Sequence, residues 1–166
     1  MARGLPEAII VDLDDTILDS GDPEVSWRRV CSEFAGNFGV TPGCFFDALI
    51  DARDWFWDNQ PRAREGRLDL VAARRTIFTR TLLSLGLKDL EPAVVDALAR
   101  RYTALRDGAV KPFQGAVAAL ERLRGRGIQL ALLTNGSSEK QWAKIRGFGL
   151  ARYFDHIQVE GDVGFG

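Results

Sequence analysis

The sequence predicts an α/β fold, a parallel sheet with crossover helices that carries a large helical insertion. Three short apolar runs read as strands: Ala8–Val11, Ile128–Leu133 and one from about Asp155 to Val159. Helical spacing precedes the second run and separates it from the third, the alternation that a parallel sheet needs. From about residue 22 to 107 the spacing is helical throughout, without a strand signal. At 166 residues, 46% of them apolar, the chain can build one sizeable core or a core with a satellite unit.

The first run, Ala8-Ile9-Ile10-Val11, reads as a buried strand that empties into Asp12-Leu13-Asp14-Asp15-Thr16. After a Gly-Asp-Pro turn, Asp22-Pro23 gives an N-cap with proline at the first helical position. Trp27, Val30, Phe34 and Phe38 then follow at spacings of three and four. Thr41-Pro42 repeats the start signal, and Phe46, Leu49, Ile50, Arg53 and Trp57 continue it. Asn59 to Gly66 reads as a polar loop with arginines at 62 and 64. A third helix is expected from about Asp69 to Leu85, stopped by Gly86, and a fourth from Glu91-Pro92 to Asp107-Gly108. Lys111-Pro112-Phe113-Gln114-Gly115 is a turn, Ala116 to Arg124 a helix, and Ile128–Leu133 a strongly apolar strand. It ends in Thr134-Asn135-Gly136-Ser137-Ser138, followed by a helix carrying Trp142 and Ile145.

The balance of 22 basic and 23 acidic residues argues against a dedicated nucleic-acid binder. No run has the length of a membrane span, and the early apolar run of four residues lacks a cleavage site, so a cytoplasmic protein is expected. Cys31 and Cys44 have neither a metal-type spacing nor the number for a disulfide scaffold. The single histidine, His156, opens a strand and reads as structural. Trp27, Trp55, Trp57 and phenylalanines 34, 38, 45 and 46 read mainly as core, and Arg62, Arg64 and Arg67 as a solvated face.

Asp12, Asp14 and Asp15 place three carboxylates within four residues. At about 4 Å and an effective dielectric near 20, each like-charged pair costs about 4 kcal/mol, so a cation or a raised pKa must offset the repulsion. Taken alone, the segment reads equally as a polar loop that caps the next helix. In a parallel sheet, however, the strands ending at Val11 and Leu133 open on the same edge, where ligands bind in open α/β sheets. One loop then offers acids suited to Mg²⁺. The other offers a hydroxyl, an amide and unblocked backbone N–H groups beside a glycine, suited to phosphate. A carboxylate there can attack phosphorus, and a second can protonate the leaving group and activate water.

Asp12-Leu13-Asp14-Asp15-Thr16 resembles the first motif of the haloacid dehalogenase-like hydrolases, and Thr134-Asn135-Gly136 resembles the second. Pro112-Phe113-Gln114-Gly115, with Leu120, Leu123 and Gly127-Ile128, resembles that family's return from cap to core. The resemblance implies a Rossmann-like core at residues 1–20 and 108–166 and an α-helical cap at 21–107. It implies that Asp12 is the nucleophile and a Mg²⁺ ligand. Asp14 would be the general acid/base and a second metal ligand, and Thr134 and Asn135 would bind the phosphoryl group. The presence of Asp14 favours phosphoryl transfer over carbon–halogen cleavage, and Asp15 beside it hints at sugar-phosphate or nucleotide substrates. The expected partner is a small phosphorylated metabolite, with no nucleic acid and no membrane; the oligomeric state stays open.

The family's lysine motif and its last acidic pair do not occur within the 166 residues, and Val159–Gly166 resembles the lead-in to that lysine. The chain therefore reads as an N-terminal portion with an incomplete sheet. Lys111 and Lys144 are candidate substitutes for the lysine, whereas Asp162 is a poor stand-in for the later acids. The leading expectation is a Mg²⁺-dependent phosphatase working through an aspartyl-phosphate. A phosphomutase or phosphonate hydrolase is the enzymatic alternative, and a truncated phosphate- or partner-binding chain the non-catalytic one.

Overall fold

The computed structural model describes residues 6–89 and 91–164, which divide into two compact units: one formed by residues up to Ser20 together with those from Val110 onward, the other by Gly21–Ala109.

Among its described residues, all regular structure of the second unit is helical. It comprises α1 (Pro23–Phe34), a 3₁₀ turn at Ala35–Phe38, α2 (Pro42–Trp57), α3 (Gln60–Leu68), α4 (Leu70–Ser84) and α5 (Pro92–Ala109). Asp22 and Thr41 cap α1 and α2 by accepting from the N–H groups of Glu24 and Cys44, with proline in the first turn of each helix. The polar loop expected at Asn59 to Gly66 is instead the helix α3, capped by Asn59 accepting from the Arg62 N–H. It lacks an apolar stripe; among its described residues only Gly66 is buried, where a Cβ would run into the Phe56 ring. The fourth expected helix continues past Asp107-Gly108 to Ala109. Trp27 is the hub of this core, stacked on Tyr102 at 3.4 Å and edge-on to Phe78 at 5.5 Å.

The first unit contains β1 (Ala8–Val11), β2 (Leu18–Asp19), β3 (Lys111–Pro112), α6 (Ala116–Gly125), β4 (Gln129–Thr134), α7 (Ser138–Gly147), β5 (His156–Val159) and α8 (Glu160–Val163). Its sheet is parallel, in the order β1-β4-β5, with Val11 opposite Leu132 and Thr134 opposite Val159. Two-residue strands β2 and β3 pair antiparallel, Leu18 with Pro112 and Asp19 with Lys111, a ladder within what the sequence suggests is a plain turn. Leu130, Leu132 and Val159 pack against Leu13, Ile17, Leu120, Ile145 and Leu150. The expectation of a buried first strand does not hold: Ile10 is 70% exposed, because β1 is covered on one face only. An apolar run shows that a strand is hydrophobic but not which of its faces is covered.

Candidate active site

Leu13 is fully buried between two outward-facing aspartates, and this alternation shapes the acidic loop. The Leu13 carbonyl accepts from the N–H groups of Ile17 and Leu18, and the Asp15 N–H donates to Leu18 O at 2.7 Å. That tight return places Asp15 in the left-handed region, with φ 56°, so its position is set by a turn as well as by charge.

Asp12 lies at the rim, with its Oδ1 accepting from the Leu13 N–H at 2.7 Å. Loss of water around its carboxyl is the main cause that raises its pKa, and repulsion from Asp14 and Asp15 adds to it. The Leu13 N–H and the Lys144 ammonium act in the opposite direction. Asp14 is gripped from α7: Lys144 Nζ donates to both of its oxygens, at 2.8 and 2.7 Å, and Gln141 Nε2 to one of them at 2.9 Å. Gln141 Nε2 also lies 2.7 Å from Thr134 Oγ1 and 2.7 Å from the Asn135 carbonyl. One buried amide thus links the acidic loop to the loop that closes β4.

The second loop enters α7 at Ser137, so the positive end of a helix lies beside it. The backbone of its glycine is engaged on both sides. The Gly136 N–H donates to Glu160 Oε2 at 3.0 Å, and the Gly136 carbonyl accepts from Gly161 at 3.0 Å. The N–H of the glycine itself is therefore engaged by a buried glutamate. Thr134 is buried and Asn135 exposed, and with Ser137 and Ser138 they supply the polar side chains of this loop.

Asp12, Asp14, Thr134 and Asn135 stand at or just beyond the ends of β1 and β4, and Gln141 joins Asp14 to Thr134 and the Asn135 carbonyl. Gln141 and Glu160 went unnoticed in the sequence; the i, i+3 spacing of Gln141 and Lys144 on a helix leaving the second loop was the available signal. Of the two lysines, Lys144 reaches the site, whereas Lys111 is exposed and lies 3.7 Å from Asp19. Asp162 accepts from the Trp142 indole at 2.8 Å, and His156 is exposed on β5. Arg62 is not a solvated charge: it lies 3.9 Å over the Trp55 ring and donates to the Trp55 carbonyl.

Hard carboxylate oxygens are the donors that Mg²⁺ prefers, and the repulsion raising the Asp12 pKa is what a cation relieves. Among the described residues no group of three or more His, Cys, Asp or Glu side chains is arranged to hold a metal. The donors that the acidic loop offers, the carboxylates of Asp12 and Asp14, are of the hard oxygen type that Mg²⁺ takes.

A model of the haloacid dehalogenase-like hydrolases matches residues 6–166. The chain belongs to this hydrolase family. A glyceraldehyde 3-phosphate phosphatase of Methanopyrus kandleri is 29% identical over 162 residues, covering 95% of this chain and 63% of that protein. A phosphoserine phosphatase of Thermus thermophilus is 47% identical over 51 residues, 31% of this chain and 20% of that protein. Among solved structures, the magnesium-bound YfnB of Bacillus subtilis superposes with a TM-score of 0.60 at 27% identity, covering 94% of this chain and 64% of that one. A 2-haloacid dehalogenase of Pseudomonas syringae shares the fold, with a TM-score of 0.57 at 24% identity. This haloacid dehalogenase-like chain spans less than two thirds of the length of the curated relatives it matches. None of its described helices is long and apolar enough to cross a membrane.

Proposed function

We propose that this chain carries the catalytic aspartates of a Mg²⁺-dependent phosphohydrolase acting on small phosphorylated metabolites in the cytoplasm, with Gly21–Ala109 as its α-helical cap. The observation that carries the reading is the link through Gln141 between Asp14 on the acidic loop and Thr134 and Asn135 on the second loop. It joins the proposed acid, two residues along the chain from Asp12, to the proposed anion-binding loop. The phosphatase names of relatives matched over nearly the whole chain support a phosphate monoester as substrate.

In this reading an Asp12 oxygen attacks phosphorus and the ester oxygen leaves, taking a proton from Asp14. Asp14, now ionised, then draws a proton from the water that opens the aspartyl-phosphate. Lys144, in contact with both carboxylate oxygens of Asp14, holds that side chain in place. Thr134 and Asn135 donate to the phosphoryl oxygens, on which charge gathers in the transition state. Mg²⁺, held by Asp12 and the Asp14 backbone carbonyl, would neutralise that charge.

Hydrolysis of an aryl phosphate by the 166-residue chain, with and without Mg²⁺ and beside Asp12→Asn, tests the reading. Mg²⁺-dependent turnover that disappears in the variant supports it. Turnover unchanged by Asp12→Asn overturns it, and phosphate binding without turnover would leave a binding chain.

A further inference from the structure

The Gln141 side chain is 2% exposed and faces three acceptors: an Asp14 carboxylate oxygen, the Asn135 carbonyl and Thr134 Oγ1. A carbonyl can only accept, and so can the Asp14 carboxylate while Lys144 pairs with both of its oxygens. The amide therefore presents its nitrogen to the cluster, because the flipped form would set oxygen against oxygen at two contacts. The two amide protons are shared among three acceptors, and the amide nitrogen itself accepts from no donor, the Thr134 hydroxyl included. The Thr134 proton is then directed away from Gln141.

We propose that Gln141 is a positioning residue that fixes Thr134 as a hydrogen-bond donor towards a phosphoryl oxygen. The inference rests on Thr134 binding phosphate. It goes further in naming the group that sets the direction of the threonine hydroxyl. Without Gln141 the hydroxyl is free to turn its proton onto the Asn135 carbonyl or the Asp14 carboxylate, both gathered on the same amide, and so away from the ligand.

A double-mutant cycle on inorganic phosphate binding tests this, measured by calorimetry at fixed Mg²⁺ on the wild-type chain, Thr134→Val, Gln141→Met and the double variant. Thr134→Val is expected to weaken binding about tenfold, the scale of one hydrogen bond to a charged ligand. Gln141→Met is expected to weaken it about three- to tenfold in the wild-type background and hardly at all beside Thr134→Val. A residue that only stabilises the fold would cost the same in both backgrounds. If Gln141→Met fails to fold, Gln141→Glu keeps the shape and enters the same cycle; the added charge acts in both backgrounds, so the coupling remains readable.

Loss of phosphate affinity in Thr134→Val, together with equal losses on both arms of the Gln141 substitution, overturns the inference and leaves the phosphate-binding reading intact. Unchanged affinity in Thr134→Val, or no phosphate binding by the wild-type chain, overturns that reading and the inference with it.

Discussion

Lys144 closes on both carboxylate oxygens of Asp14, at 2.8 and 2.7 Å, across a sequence separation of 130 residues. The pair is partly shielded, with side-chain exposures of 23% and 32%, so it is screened less than a surface ion pair. Replacing the ammonium leaves the Asp14 carboxylate, among the described residues, with the Gln141 contact, beside the Asp12 charge.

Lys144→Met is accordingly expected to lower kcat for an aryl phosphate by about tenfold, part of the contribution of a positioned acid–base group, with a smaller change in KM. It should cost about 1 kcal/mol of stability. Steady-state kinetics and thermal unfolding of the same sample check both. An unchanged kcat would remove Lys144 from the chemistry.

Asp12→Asn should separate stability from activity. The substitution removes one of three crowded carboxylates, so the metal-free chain should unfold at a higher temperature at neutral pH, by the equivalent of about 1 kcal/mol. Turnover in Mg²⁺ should fall at least a hundredfold. Melting in a chelator, paired with a turnover assay, reads both effects, and a less stable variant would contradict the repulsion argument.

Glu33 supplies a pH dependence within the helical unit. Its carboxylate accepts from Arg101 at 2.6 and 2.7 Å and from Arg29 at 2.6 Å, tying α1 to α5. The Arg101 hydrogen bonds, followed by that of Arg29, lower its pKa from 4.5 to about 2. The folded value lies below the unfolded one, so the stabilisation is complete above pH 4.5 and disappears as the pH falls through about 2. The melting-temperature gap between wild type and Glu33→Gln should be present at pH 7 and vanish near pH 2. It should also be small, because salt and water screen exposed pairs.

Gly161→Ala tests how firmly the second loop is held. A Cβ at this position would collide with the Ser138 backbone nitrogen and crowd the Gly136 carbonyl oxygen at 3.0 Å. Backbone cannot yield as a flexible side chain does, so a loss of about 1–3 kcal/mol is expected. Weaker phosphate binding should accompany it, and an unaltered melting temperature would refute the collision.

The alternation of strand and helix was legible because apolar period and turn chemistry point the same way at Val11, Leu133 and Val159. Helix α3 was missed although Asn59-Gln60-Pro61 carries the same start signal as Asp22-Pro23 and Thr41-Pro42. Its charged body has no apolar stripe, and its packing uses a glycine set against Phe56, which leaves no periodic trace. In the candidate site, Asp12 and Thr134 stood out by their place at strand ends. Gln141 and Glu160 did not, because each acquires its meaning from a partner on a different loop. Exposure of Ile10 was illegible for a related reason, since coverage of a strand face depends on residues outside the strand.

The in-register ladder that sets Val11 opposite Leu132 and Thr134 opposite Val159 has a genetic corollary. Asp12, Thr134 and Glu160 hold their places by counting residues along neighbouring strands that lie about 4.8 Å apart. A substitution at Ile9 or Ala131 alters packing but preserves that count. Deleting a single codon within β4 would carry Thr134 to the opposite face of the sheet, one level back from the acidic loop, and bring Asn135 to the level it left. In a library of one-codon deletions, β1 and β4 should therefore stand out as a ruler: tolerant of altered letters, closed to altered length.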